Sequence, residues 1–339
     1  MSEILLADHD LSRANTLGLP CRAEHFAAPA AIEPLRRLLR LASEQAWPLT
    51  LLGGGSNLIL PAHLPGLVLQ PALRHWWLES RGDSVLVHVG AGVEWHPLVM
   101  ALAGRGLWGT ENLALIPGHC GAAPIQNIGA YGVELGEVIE AVHVLFIEDG
   151  SSAVLTPEAC AFGYRDSIFK RELEGRVVIT GLSLRLSREA APRLAYGDLA
   201  RRVGANPSPL EVAQAVCAIR REKLPDPVEL GNAGSFFKNP IVSRDQALEL
   251  LEDCPDMPHF DVGDGQIKLA AGWLIERCGL KGWREGHFGV HSRQALVLVH
   301  FGGGDAGELL LFADHVAESV QARFGVTLER EPRLAIESP

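Results

Sequence analysis

Leu49-Thr50-Leu51-Leu52-Gly53-Gly54-Gly55-Ser56-Asn57-Leu58-Ile59-Leu60 decides the architecture. A short apolar strand runs into three glycines, a serine and an asparagine, and a second apolar run follows at once. Three consecutive glycines let backbone approach a ligand closely, and successive N–H groups can form an anion nest. A nucleotide pyrophosphate is the natural guest of such a nest. The spacing is not G-x-G-x-x-G and no helix signal follows, which excludes a Rossmann fingerprint. The lysine of a Walker loop is missing as well. A plain glycine turn is the competing reading, and the motif alone leaves the two evenly balanced.

Working outward, apolar residues at Ile32, Leu35, Leu38, Leu39 and Ala42 predict a helix over 32–45. Alternating or apolar runs predict strands over 85–89, 142–147 and 177–186, with a helix over 95–104 among them. Thr156-Pro157-Glu158 reads as the start of a short helix, with Pro at its first position. Ser208-Pro209-Leu210-Glu211 has capping-box spacing and opens a helix to about residue 222. Leu224-Pro225-Asp226-Pro227 stops it and marks a domain boundary. Beyond lie a helix after Ser243, a helix over 268–278, a strand over 295–300, a helix over 308–324 and a short strand over 326–328.

The chain has 339 residues, enough for two or three domains without a disulfide or metal staple. Its net charge of −11 makes it a poor nucleic-acid binder, because affinity there comes from basic side chains neutralising phosphates. No apolar run approaches a membrane span, and the start MSEILLADHD has no signal-peptide pattern. The six cysteines (Cys21, Cys120, Cys160, Cys217, Cys254 and Cys278) are scattered without a Cys-x-x-Cys pair. Free thiols in a reducing cytoplasm are expected.

Four further segments carry chemistry. The stretch 116–132, IPGHCGAAPIQNIGAYG, is rich in small residues, so its backbone can lie flat against a planar ring, and Gln126 and Asn127 can hydrogen-bond ring heteroatoms. In 163–169, GYRDSIF, Arg165 sits among aromatic and aliphatic residues, and its fork suits a carboxylate; an Arg165–Asp166 surface turn remains open. In 231–240, GNAGSFFKNP, Ser235 can present its hydroxyl into a dry pocket, or serve only in a turn. Near the end stand Glu331 and Arg333, which alone read as a surface pair. His287 and His291 lack the partners of a metal site, so no metal is expected. The pair His119-Cys120 could attach a flavin covalently, on adjacency alone. Trp76-Trp77 reads as packing.

Taken together, GGGSN, PIQNIGAYG (124–132), FGYRDSIFK (162–170), AYGDL (195–199), KLPDP (223–227), GNAGSFFKNP (231–240) and KLAAGWLIE (268–276) resemble the UDP-N-acetylenolpyruvoylglucosamine reductase (MurB) family from about Asn15 to Arg333. GGGSN alone is shared with other flavoproteins of the same superfamily. The Tyr196 segment resembles the longer subtype, which carries a tyrosine loop over the substrate. His119-Cys120 departs mildly from the family pattern.

The resemblance implies an α+β architecture. Two subdomains form a FAD-binding fold like that of vanillyl-alcohol oxidase (the PCMH type), and a smaller α/β domain binds substrate. The implied divisions are 1–73 with 325–339, then 74–224, then 225–324. It implies non-covalent FAD, NADPH as co-substrate and UDP-N-acetylglucosamine enolpyruvate as acceptor, in a cytoplasmic monomer with no nucleic-acid partner. Hydride passes from NADPH to FAD, then from flavin N5 to the vinyl carbon. Arg165 holds the substrate carboxylate, Glu331 donates to the developing charge, and Ser235 supplies the proton. Flavin contacts fall on Gly53, Gly54, Gly55, Ser56 and Asn57. They continue on Pro117, Gly118, Gly121, Ala122, Gln126 and Asn127, and on Gly129, Ala130 and Tyr131. The diphosphate end of the substrate falls to Tyr196, Lys223, Asn239 and Gln294. Another FAD-dependent oxidase or dehydrogenase of the superfamily is the alternative.

Overall fold

A computed structural model describes residues 4–335. The ends of the first implied division, 1–3 and 336–339, lie outside the described residues. The chain is α+β. The glycine loop leaves the strand Leu49–Leu51, at one edge of a four-stranded sheet. That strand runs parallel to His63–Leu69, which runs parallel to Arg22–Ala27. Leu6–Asp10 closes the other edge antiparallel. Helix Ile32–Glu44 turns Leu35, Leu38, Leu39 and Ala42 onto this sheet as its 3.6-residue spacing requires. Full burial of each leucine is worth about 1.5–3 kcal/mol. The same cluster takes in Leu145 and Val178, so it also ties the first sheet to the second.

The second sheet is wholly antiparallel, in the order Ser152–Leu155, Ile139–Phe146, Val177–Ser187, Ser84–Gly90, Trp76–Arg81. Helix Trp95–Ala103 and helix Pro209–Lys223 cover one face. Ser208 caps the latter with the reciprocal Glu211 bond that its spacing predicts. The third unit holds two small antiparallel sheets. One runs Gly231–Ser235, Val297–His300, Phe288–Val290, Arg284–Glu285; the other runs Ile241–Ser243, Gln266–Leu269, His259–Gly263. They pack with helices Ala271–Arg277 and Ala306–Phe324 around Phe236, Phe288 and Phe312.

Two sequence expectations need correction. Residues 326–328 form no strand; Val326 and Leu328 are buried as extended chain that packs on the third core without a ladder. The strand near the end is instead Arg333–Leu334, which pairs parallel with Leu58–Ile59 of the first unit. The helix expected over 268–278 begins only at Ala271, because Lys268 and Leu269 finish a strand paired on both sides. No helix among the described residues is long and apolar enough to cross a membrane. The six cysteines are free.

Candidate active site

Two loops meet face to face on one wall of a cavity of about 1060 Å³. A Cβ on Gly54 would stand 2.7 Å from the Cα of Gly118, so bare backbone is what lets the loops close. Ser56 Oγ donates to the Pro117 carbonyl at 3.1 Å, and Gln70 Nε2 donates to the Gly53 carbonyl at 2.7 Å. None of the backbone N–H groups from Gly53 to Asn57 donates to another described residue. All five residues line the cavity. A plain turn would close on itself; five free donors in succession make a nest for an anion.

Beside the nest the chain gathers three groups from distant segments. Arg165 takes a left-handed backbone (φ 54°), and Lys170 Nζ donates to its carbonyl at 3.0 Å. One terminal nitrogen of Arg165 donates to the Gly129 carbonyl at 3.0 Å, while its Nε stands 3.0 Å from Glu331 Oε1. That second contact is an ion pair without a hydrogen bond, since the Nε–H is not aligned on the carboxylate. Arg165 is therefore no surface partner of Asp166, which instead pairs with Arg171. Arg333 likewise pairs with Glu174, so the terminal Glu331–Arg333 pair does not form.

Glu331 arrives by a clamp. Its N–H donates to the Phe236 carbonyl at 2.9 Å, next to Ser235. Its carbonyl accepts from Asn57 Nδ2 at 3.2 Å, and the same amide donates to Gln126 Oε1 at 2.5 Å. The Arg333 N–H donates to the Asn57 carbonyl at 3.1 Å. Burial pushes the Glu331 carboxyl above the ordinary carboxylate range, against the pull of Arg165. Ser235 ends the strand Gly231–Ser235, opposite Val297, and its hydroxyl makes no hydrogen bond with any described residue. Phe236 and Phe237 behind it are fully buried and fix its position. Arg165, Ser235 and Glu331 all line the cavity.

Pro117, Gly118, Gly121, Ala122, Gln126 and Gly129 line it too. Asn127 does not. Its amide donates to Glu134 (2.7 Å) and the Gly163 carbonyl (3.1 Å), and its oxygen accepts from the Gly136 N–H (2.8 Å). A side chain satisfied in this way has nothing left for a ring, so Asn127 braces the loop from behind. Ala130 and Tyr131 lie outside the wall as well; Tyr131 meets Tyr196 edge to face at 5.8 Å. Tyr196, Lys223, Asn239 and Gln294 are not brought to the wall. Tyr196 and Lys223 are exposed, Asn239 accepts from the Ala271 N–H at 3.0 Å, and Gln294 accepts from the Leu296 N–H at 3.4 Å. Cys120 points into the second core, away from the cavity, whereas His119 lines it. Sequence reasoning passed over Arg220 and Lys170, which both line the wall; neither lies in a motif whose spacing demands a cation there.

The cavity exceeds the upper end of what a drug-sized ligand needs. Its bare amides and the buried, unpartnered nitrogens of His119 (Nδ1) and Arg220 (Nε) suit a large anionic nucleotide. Burial pushes His119 below its ordinary pKa, so it stands neutral beside that ligand.

Comparison with known proteins agrees with this chemistry. A family model described as an FAD binding domain matches residues 23–156. One described as the C-terminal domain of UDP-N-acetylenolpyruvoylglucosamine reductase matches residues 226–335. The reductase of that name from Chromobacterium violaceum is 48% identical over 332 residues, covering 96% of this chain and 97% of its own. This chain belongs to the UDP-N-acetylenolpyruvoylglucosamine reductase family. The Pseudomonas aeruginosa reductase is 47% identical over 335 residues, covering 97% of this chain and 98% of its own. The crystal structure of the Thermus caldophilus reductase aligns with a TM-score of 0.67 at 26% identity, over 99% of this chain and 100% of that one. As a member of the reductase family the chain is an FAD-dependent oxidoreductase of peptidoglycan synthesis. It combines an FAD-binding domain with a separate C-terminal domain.

Proposed function

We propose that this chain reduces the enolpyruvyl ether of UDP-N-acetylglucosamine to the lactyl ether, UDP-N-acetylmuramate, at the expense of NADPH. The observation that carries this reading is the meeting of Arg165, Ser235 and Glu331 on one cavity, beside five unpartnered backbone donors. Bound FAD supplies the hydride relay between the two substrates. The amides of Gly53 to Asn57 hold its pyrophosphate, and the small residues from Pro117 to Gly129 admit its ring.

Arg165 binds the substrate carboxylate and meets the negative charge that grows on it as hydride reaches the vinyl carbon. Glu331, whose protonated form burial favours, donates a hydrogen bond from that form to the same charge. Ser235 places its hydroxyl proton at the carbon next to the carboxylate. A hydroxyl is a weak acid, but the carbanion-like centre is a strong base and positioning covers the remaining gap. Lys223 supplies the cation for the diphosphate, helped by Tyr196, Asn239 and Gln294, and these four meet substrate at the outer rim. The working division is 1–73 with 325–339, 74–224 and 225–324, in a cytoplasmic monomer of the longer, tyrosine-loop subtype.

Anaerobic reduction of the yellow protein with NADPH, followed by the enolpyruvyl substrate, tests the reading. Rapid return of the oxidised flavin spectrum is expected. A flavin that stays reduced until oxygen enters overturns it in favour of an oxidase of the same superfamily.

A further inference from the structure

Gly129 and Glu134 face each other across the ribbon of strands Gly129–Ala130 and Val133–Glu134. Side chains at paired positions stand on the same face of a ribbon. Gly129 has none, and two other groups fill the place. A Cβ on Gly129 would stand 3.1 Å from Arg165 Nη1 and 3.1 Å from Glu134 Cγ. The missing methyl lets this guanidinium and this carboxylate share one face. The other terminal nitrogen of Arg165 holds the Gly129 carbonyl. Arg165 thus has two carboxyl neighbours, Glu331 beside its Nε and Glu134 on the ribbon.

The two carboxyls differ in their partners. Glu134 Oε2 accepts from Asn127 Nδ2 at 2.7 Å, and the same side chain accepts the Glu137 N–H. Both donors favour an ionised acceptor. The Glu331 carboxyl accepts no hydrogen bond from a described residue, because the Arg165 Nε–H is off the line to it. Burial raises both carboxyls, and Arg165 pulls both down. The other charged groups acting on Glu134 are Glu137, which pairs with Arg193, and Lys268, which stands over the Tyr164 ring at 4.7 Å. Those acting on Glu331 are Lys238, which pairs with Glu329, and Lys170. Arg220 faces Arg165 as a like charge. We propose that Glu134 is the positioning residue of Arg165: its carboxylate draws the guanidinium onto the ribbon and supplies the standing counter-charge, which leaves Glu331 free to hold a proton. The inference deepens the functional reading above and rests on it for the role given to Glu331. Glu134 does not line the cavity, so it acts through Arg165. Without it the fork turns toward Glu331 and draws that carboxyl into the ionised form.

The test compares the flavin-loaded wild type with Glu134→Gln and Glu134→Asp. The first readout needs no substrate. It is the infrared band of a protonated carboxyl, assigned to Glu331 by its absence from Glu331→Gln, followed as pH rises. Glu134→Gln is expected to lose the band about one pH unit below the wild type, a tenfold change in the proton equilibrium. Glu134→Asp keeps the charge one methylene further back and should move the loss the same way by less than half as much. The second readout is the dissociation constant of the enolpyruvyl ether from the oxidised enzyme, read from the flavin absorbance. Between the two band losses Glu134→Gln should bind it about fivefold less tightly, and below both within about threefold of the wild type. A band absent from the wild type, or lost at the same pH in Glu134→Gln, overturns the proposal. So does an affinity that drops equally at every pH, the mark of a disturbed loop. Should Glu134→Gln not retain flavin, Glu134→Asp decides, and an unmoved band there overturns the proposal. A wild-type flavin that the enolpyruvyl ether cannot reoxidise sinks the functional reading, while the infrared comparison still stands or falls by itself.

Discussion

Arg165 and Glu331 stand 3.0 Å apart, Nε to Oε1, with the Nε–H directed off the line between them. An aligned, charge-assisted bond would fix the carboxyl as an anion. The misaligned contact leaves burial in command, and the Glu331 carboxyl stands above its ordinary pKa.

Glu331→Gln therefore preserves a neutral donor, and Glu331→Ala removes it. The amide variant should retain a measurable rate of flavin reoxidation, and the alanine variant should lose about 10²–10³-fold, the usual cost of one such donor. With a raised pKa the folded protein binds this proton more tightly than the unfolded chain does. The rate and the stability that depend on it are present at low pH and fall as pH climbs through the raised pKa. Glu331→Gln should flatten that alkaline limb in both kcat and Tm. Identical profiles for wild type and amide would refute the neutral-acid role.

Ser235→Ala should leave flavin reduction by NADPH near the wild-type rate and slow reoxidation by substrate about 10²–10⁴-fold. Stopped-flow measurement of each half-reaction separates the two. Equal slowing of both would show a packing defect around Phe236 and Phe237 rather than a lost proton.

Gly54→Ala places a methyl group 2.7 Å from the Gly118 Cα, against backbone that cannot rotate away. The strain is expected to cost about 1–3 kcal/mol and to part the two loops. The flavin-to-protein absorbance ratio should drop, and added FAD should stabilise the variant less than the wild type. A variant that holds its full complement of flavin would show that the loops do not form the cofactor wall.

Asn127→Ala removes three hydrogen bonds at once, to Glu134, Gly163 and Gly136. Each backbone group left buried and unpaired costs about 1–3 kcal/mol, so thermal stability should fall clearly. The absorption spectrum of the flavin that remains bound should keep its shape. A changed spectrum at unchanged Tm would mean that the side chain touches the ring after all.

The periodic elements were legible because their causes are local. Helix Ile32–Glu44 follows from apolar spacing, and helix Pro209–Lys223 follows from the Ser208–Glu211 box. Strand His63–Leu69 was not legible, because its sequence HLPGLVL carries a proline and a glycine, and only its neighbours Arg22–Ala27 and Leu49–Leu51 make it a strand. The motif residues Arg165, Ser235 and Glu331 stood out by family likeness, and the glycine nest by composition. Asn127 shows the limit of that reading. Motif membership placed it with the flavin, but whether an amide points at the ligand or behind the loop is decided by partners such as Glu134 and Gly163, which no local pattern announces. Arg220 was invisible for the same reason, being one basic residue in a run of them at a helix end.

The parallel pairing of Arg333–Leu334 with Leu58–Ile59 imposes an order of assembly. A ribosome makes the glycine loop early and its last supporting strand hundreds of codons later. Until then Leu58–Ile59 has no ladder, Asn57 has no Glu331 carbonyl to hold, and the carboxyl proposed to act on substrate has not been synthesised. A nascent chain can thus present a dinucleotide cradle long before it can turn over, and competence arrives in one late stroke. Such a closure joins distant parts of the chain and is slow for the entropic reason that all long-range contacts are.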